Sequence, residues 1–161
     1  LEEHTTSKIF HEDFYEAGKE LYAKYGSELR ELSARENADY GARNFKLPGK
    51  TIEFRVSKIT PKKVGQFVAI WRRNEQGLTQ PFEETDEIDF MVISSRTEHN
   101  FGLFVFPKSI LIDQGIIISN KEAGKRGIRV YPPWDKPTNK QAQKTQSWQI
   151  KYFIYKSIRP V

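Results

Sequence analysis

A mixed α/β domain, with a central mixed sheet flanked by helices, is the fold class this sequence predicts, and three observations predict it. Short apolar runs with period-2 alternation cluster in the middle of the chain. Segments with helical spacing lie towards both ends. No linker, repeat or low-complexity tract divides them, so residues 1–161 are expected to form a single domain, long enough to bury a core.

From the start of the chain, His11 to Tyr25 reads as an amphipathic helix, with Phe14, Ala17, Leu21 and Tyr22 sharing a face. Gly26 stops it, and Ser27 is placed to cap a second short helix running to about Arg35. After a turn at Gly41, Asn44 to Leu47 is extended, and Pro48-Gly49 turns the chain again. Ile52, Phe54 and Val56 alternate with Glu53, Arg55 and Ser57, which is a strand signature. Pro61 interrupts, leaving Lys62 and Lys63 exposed, and Gln66 to Arg72 resumes as a strand. The apolar run Ile88–Ile93 is a strand bounded by the acidic Glu83–Glu87 and the polar loop Ser94–Asn100. Gly102–Phe106, continuously apolar, reads as a buried central strand. Ile110–Ile118 reads as a helical turn followed by another strand, Lys121–Gly127 as a loop, and Ile128–Tyr131 as extended. Thr138 caps a helix from Asn139 to about Gln146, and Trp148–Lys156 closes the chain as a strand or a helix.

Charge is distributed unevenly. Arg55 to Arg73 carries six Lys/Arg and no Asp or Glu. Residues 108–161 hold eleven Lys/Arg against three Asp/Glu, whereas residues 1–107 are net acidic. Phe67, Trp71, Tyr131, Trp134, Trp148 and Tyr152 are threaded through the basic stretches. Basic charge follows phosphates without regard to sequence, and flat rings stack on exposed bases, so nucleic acid, DNA or RNA, is the first partner to expect. The absence of cysteine removes disulfides, thiolate nucleophiles and Cys-ligated zinc. His4, His11 and His99 have no metal-ligand spacing, and neither metal nor cofactor is expected. No apolar run reaches the roughly 18 residues that cross a bilayer, and no signal-peptide pattern opens the chain. Because it opens on Leu1 rather than Met, native residues are expected to precede it. The expectation is a cytoplasmic monomer without membrane insertion.

Four blocks are more specific. Phe54 to Val68 (FRVSKITPKKVGQFV), Phe104-Val105-Phe106-Pro107-Lys108, Gly124 to Trp134 (GKRGIRVYPPW), and the series Gln141-Ala142, Thr145-Gln146, Trp148-Gln149 together resemble the signature of the MepB protein family. The resemblance covers nearly the whole chain. It implies a restriction-endonuclease-like α/β fold and a gene neighbourhood shared with a multidrug efflux pump, without implying an activity.

Nucleases of that fold hold a divalent metal between an Asp on one strand and an Asp/Glu-x-Lys on the next, the Lys orienting the attacking water. Here Asp89 opens one strand and Lys108 ends the other. The position owed to the second carboxylate is Phe106, which cannot ligate a metal, and Pro107 sits between. On this alignment the metal site is degenerate and the scaffold has kept binding without cleavage.

The basic and aromatic residues have functional and structural readings side by side. Lys58, Lys62 and Lys63 form either a phosphate-gripping hairpin or an edge break kept soluble by lysine and proline. Arg72 and Arg73 read as a solvated tip. In the loop Gly124-Lys125-Arg126-Gly127 the glycines let backbone N–H groups approach an anion while Lys125 and Arg126 grip it, with Arg129 adding charge; the spacing is not that of a nucleotide P-loop. Tyr131-Pro-Pro-Trp134 is either a stacking platform or a core plug. Gln141, Lys144, Thr145, Trp148 and Gln149 share a helix face, where Gln reads adenine edges or simply meets solvent. The acidic cluster Glu83, Glu84, Asp86, Glu87 and Asp89 lacks calcium-loop spacing and reads as a solvated turn.

The reading reached is a nucleic-acid-binding protein on a nuclease-like scaffold. Lys58, Lys62, Lys63, Lys125, Arg126, Arg129 and Lys144 are the cations, and Trp134 and Trp148 the stacking rings. Two alternatives stand beside it: a metal-dependent nuclease using Asp89, Lys108 and a carboxylate relocated to Glu16 or Glu20, and an accessory module of drug resistance that binds no nucleic acid.

Overall fold

Strand β3 (Lys50–Val56) sets the architecture, because it pairs in parallel with β8 (Phe90–Arg96), and a parallel pair needs a crossover between its members. In most α/β proteins that crossover is a helix. Here it is built largely from strands: β4 (Lys58–Ile59), β5 (Gln66–Ala69), β6 (Arg72–Arg73) and β7 (Thr79–Gln80). The computed structural model describes residues 12–13, 16–20, 23, 30–34, 43–47 and 50–156. The remaining strands are β1 (Arg30–Ala34), β2 (Arg43–Leu47), β9 (Phe101–Pro107), β10 (Gly127–Val130) and β11 (Phe153–Lys156). The helices are α1 (Lys108–Asp113) and α2 (Lys140–Gln149), followed by a 3-10 turn at Ile150–Tyr152; residues 12–13, 16–20 and 23 are also helical.

Among the described residues the main sheet has six strands in the order β1-β2-β3-β8-β9-β11, antiparallel except for β3–β8. A second sheet, β10-β5-β4, is antiparallel, and β6–β7 is a small hairpin. The mixed α/β architecture expected from the sequence is therefore what forms.

Both faces of the main sheet are covered. Ala17 on the N-terminal helix packs with Ile52, Phe54, Val92, Phe101, Leu103 and Val105 on one face. Met91, Ile93, Phe104 and Phe106 on the other meet Val68 and Ile70 of the β5 segment, Val130 of β10 and Leu111 of α1. Phe106 is a fully buried core ring.

Double coverage buries both sides of the alternation read for β3: Glu53 and Arg55 are only 1% and 2% exposed. Their side chains pair at 2.9 Å, and Arg55 also donates to the Phe54 carbonyl at 2.9 Å and reaches the Trp71 carbonyl at 3.5 Å. Arg55 further lies over the Phe82 ring. Beyond them Ser57 Oγ sits 2.7 Å from Gln66 Oε1, 2.7 Å from Ser95 Oγ and 2.9 Å from the Ser94 carbonyl. Buried polar groups on this scale persist because each has a partner.

Other boundaries move as well. The helix expected to start at Ser27 gives way to β1, paired antiparallel with β2: ladder bonds to a neighbouring strand override a weak local helix preference. Gly26, Ser27, Gly41 and residues 48–49 lie outside the described residues, as do Phe14, Leu21 and Tyr22. The expected strand Gln66–Arg72 is split between β5 and β6, which belong to different sheets. Strand β8 begins two residues after Ile88 and runs through Ser94 and Ser95 to Arg96, because those serines are buried and bonded rather than in a loop. Asn139, not Thr138, caps α2, accepting the Ala142 N–H at 2.8 Å. Trp148 ends in that helix, and the closing strand is β11.

The acidic stretch is a turn with Glu84 and Glu87 exposed, but the carboxylates of Asp86 and Asp89 are engaged. Asp86 takes a bidentate pair from Arg72 at 2.6 and 2.9 Å and the Glu83 N–H at 2.8 Å, so Arg72 is no free tip. Asp89 accepts the Thr51 N–H at 2.8 Å. The N-terminal helix is fastened by Asp13, 1% exposed, which accepts from Ser94 Oγ at 2.8 Å and pairs with Arg96. Helix α2 is fastened by side-chain amides. Gln149, also 1% exposed, accepts the Tyr131 N–H at 2.8 Å and donates to the Arg129 carbonyl at 2.9 Å, standing in for a neighbouring strand at the β10 edge. Gln146 donates to the carbonyls of Tyr131, Pro132 and Asp135.

Two predictions arise. Burial pushes the Asp13 carboxyl above its ordinary 3.8, although Arg96 and Ser94 pull it down. A raised carboxyl means that the folded state holds its proton where the unfolded state has released it. The Asp13 contribution is therefore greatest below about 3.8 and declines as pH rises through the raised folded value. Urea midpoints across that window should show wild type losing stability relative to Asp13→Asn as pH rises; a constant difference contradicts the assignment. Gln149→Leu leaves the Arg129 carbonyl and Tyr131 N–H unpaired and should cost about 2–4 kcal/mol, read as a lowered urea midpoint. An unchanged midpoint removes Gln149 from the docking of α2.

Candidate nucleic-acid interface

The turn between β4 and β5 presents the first cations. Pro61 offers no N–H to a ladder, so the chain leaves the sheet there, and Gly65, at φ +85°, brings it back. The Tyr131 ring occupies the space where a side chain at Gly65 would sit, 2.7 Å from the ideal Cβ. Arg129 on β10 holds the turn from below. It donates to Thr60 Oγ1 at 2.6 Å, to the Val64 carbonyl at 3.2 Å and to the Gly65 carbonyl at 3.3 Å. Lys62 and Lys63 thus extend from a stapled turn, both exposed.

A second loop supplies Lys125. Gly124, at φ +75°, lies against Pro81 and Ile118, and the Lys125 N–H donates to the Ile116 carbonyl at 2.9 Å. This N–H is already bonded, so the expected cradle of backbone donors is not formed by Lys125: the loop offers its side chain. Helix α2 forms the opposite side, presenting Gln141, Thr145 and Trp148 at helical spacing.

Between these elements lies a groove of about 620 Å³. Lys62, Lys63, Lys125 and Arg129 line it, and no Asp or Glu among the described residues does. Ile116, Ile128 and Ala142 give it an apolar part. Four cationic side chains without a counter-carboxylate concentrate positive potential in a concave surface, which attracts an anion more strongly than the same charges on a convex one.

The structure brings together Lys62, Lys63, Lys125, Arg129 and Trp148 and leaves the other expected residues elsewhere. Lys58 is on β4 opposite Phe67, outside the groove lining. Arg126 is exposed and donates to the Thr79 carbonyl at 3.2 Å. Lys144 is exposed on α2 outside the lining. Trp134 takes the plug reading: its ring meets Phe153 and Tyr155 edge-on at 5.6 and 6.3 Å, because β11 lies beneath it. Trp148 packs on Phe106 at 5.3 Å, so part of its ring belongs to the core. Gln149 lines the groove, but its amide is already bonded to β10. Thr60, Tyr131, Gln146 and Asn139 organise the groove, a role that sequence reasoning did not assign to any of them.

Asp89 and Lys108 do meet, through the Lys108 N–H and the Asp89 carbonyl at 2.9 Å. Their side chains are occupied separately, Asp89 by the Thr51 N–H and Lys108 by the Asp86 carbonyl at 2.9 Å. Glu16 faces Lys19 at 3.6 Å and Glu20 pairs with Lys156. Among the described residues no three His, Cys, Asp or Glu side chains converge as metal ligands, and no helix is long and apolar enough to cross a membrane.

No curated protein matches the sequence. The fold is similar to the crystal structure of MepB, with a TM-score of 0.75 and 33% identity, covering 86% of this chain and 95% of that one. The family model described as MepB-like matches residues 34–155, a span that contains β2 to β10, nearly all of β11, the stapled turn and the groove. By sequence and by fold, this chain belongs to the MepB-like family.

Proposed function

We propose that the protein binds nucleic acid through the groove between the small sheet and α2, as a cytoplasmic monomer, on a nuclease-like scaffold that does not cleave. The observation that carries this reading is the set of Lys62, Lys63, Lys125 and Arg129 around one groove with no opposing carboxylate. A phosphate chain releases condensed counterions when such cations replace them, and that release supplies affinity independent of sequence. The side chains of Lys62, Lys63 and Lys125 make no hydrogen bond or ion pair with the described residues, so binding an anion breaks nothing. The scaffold part of the reading draws on the parallel β3–β8 pair, the antiparallel β8–β9 pair and the junction of Asp89 with Lys108. Its non-cleaving character draws on Phe106 being core and on the separate engagements of Asp89 and Lys108.

Labelled DNA and RNA oligonucleotides, titrated by fluorescence anisotropy at two salt concentrations with and without Mg²⁺, test this directly. Log affinity should fall with log salt at a slope of about −3 to −4, as four phosphate contacts require. Lys62→Ala with Lys63→Ala should weaken binding for all sequences alike and reduce the slope by about 2. An unchanged slope removes the groove from the interface, and no binding at low salt sinks the proposal. Gels of the same reactions should show intact substrate; Mg²⁺-dependent products lost in Asp89→Ala establish the nuclease instead.

A further inference from the structure

The small sheet carries a second feature beside the groove. Its register places Lys58, Phe67 and Arg129 directly opposite one another across β4, β5 and β10. Directly paired residues project to the same face of a sheet. The inner face of β5 carries Gln66 and Val68, both buried, so the row of Lys58, Phe67 and Arg129 lies on the outer face. Phe67 is 44% exposed, with a cation on each side.

Three other aromatic residues of the basic region are engaged differently. Trp134 is against β11, Trp148 against Phe106, and Tyr131 fills the space over Gly65. Phe67 instead crosses the outer surface to Gly127 of β10. The tip of its ring is 2.6 Å from where a Cβ at 127 would sit, so a glycine is required for the ring to lie there. An exposed phenyl ring costs hydration free energy, and the residue at 127 has given up its own side chain to seat it. Arg129 belongs both to this row and to the groove lining, which makes the two surfaces continuous.

We propose that the preferred ligand is a single-stranded nucleic acid and that Phe67 stacks on one of its bases while the groove cations hold the adjoining phosphates; this rests on the nucleic-acid reading above. A base inside a duplex has both faces covered by its neighbours and shows only its edges, so a flat ring gains little from it. An unpaired base offers its face, and every base has one, which makes the contact tolerant of sequence. The flanking Lys58 and Arg129 place positive charge on either side of the stacked ring, where the backbone of a bound strand passes.

The full chain, titrated at low salt with labelled oligothymidine and with a duplex of equal length, should bind the single strand more tightly. Phe67→Ala should weaken single-strand binding roughly tenfold or more, the scale of one lost base–aromatic stack, while the salt slope and duplex affinity stay as they were. Phe67→Trp should restore the preference, and Gly127→Val, which displaces the ring without removing it, should mimic Phe67→Ala. Thermal unfolding of each variant separates loss of contact from loss of fold. Salt-dependent binding with equal affinity for both forms, or a Phe67→Ala variant indistinguishable from wild type, overturns the stacking proposal and leaves the groove reading standing. Equal weakening for strand and duplex assigns Phe67 to the fold and also overturns it. No binding of either nucleic acid by the wild type overturns both.

Discussion

Everything in the fold depends on closing the layer between the two sheets over a buried ion pair. Strand β3 sends Glu53 and Arg55 into that layer, among Met91, Ile93, Phe82 and Ile70, where a lone charge costs several kcal/mol. The layer tolerates them because they pair at 2.9 Å and because Arg55 also donates to two backbone carbonyls. One of those carbonyls belongs to Trp71, where the chain leaves β5 for the β6–β7 hairpin. The pair thus ties the start of the crossover to its middle. A hydrophobic pair of equal volume fills the space equally well but does not select the register, since apolar contacts tolerate sliding and a fixed set of hydrogen bonds does not.

Above that layer, position is set by polar side chains acting as backbone. Gln149 extends the β10 edge as if it were a strand, Gln146 gathers three carbonyls of the loop before α2, and Arg129 gathers acceptors of the β4–β5 turn. Helix α2 has few apolar residues to bury, and Ala142 and Gln149 are its only fully buried ones among the described residues. Hydrophobic contact alone therefore cannot orient it. The amides do so, and they fix the separation between the helix and the cationic turn that makes a groove between them.

What the sequence displayed and what it hid follow from this division. Apolar runs announced β3, β8 and β9, and the asymmetry of charge announced a basic surface, because both signals are local. Burial of Glu53 and Arg55 was invisible: period-2 alternation reports polarity and cannot tell a solvated face from one sealed by a second sheet. The Ser27 helix was misread because pairing of β1 with β2 is a long-range event. Of the cations named from sequence, Lys62, Lys63, Lys125 and Arg129 came together and Lys58, Arg126 and Lys144 did not. Their composition is alike, and only the fold decides which side of a strand or helix each occupies. Aromatic residues misled for the same reason: Trp134 rests against β11, whereas Phe67 lies over Gly127 and stays 44% exposed.

Arg129 shows why the cationic side of the groove is more than a sum of charges. Lysines on a turn hold long side chains whose rotamer freedom is lost on binding, and that loss subtracts from affinity. The Arg129 guanidinium is already held by Thr60, Val64 and Gly65, so its ordering cost was met when the chain folded. Its charge is at a set position before any ligand arrives, and the same bonds restrict the turn that carries Lys62 and Lys63. On the proposed reading, a fixed cation beside exposed lysines would give an incoming phosphate one defined place to start. Because Arg129 is ordered beforehand, the proposed complex would lose rotamer freedom chiefly at the lysines, which limits the entropic cost of gripping a strand that must itself be ordered.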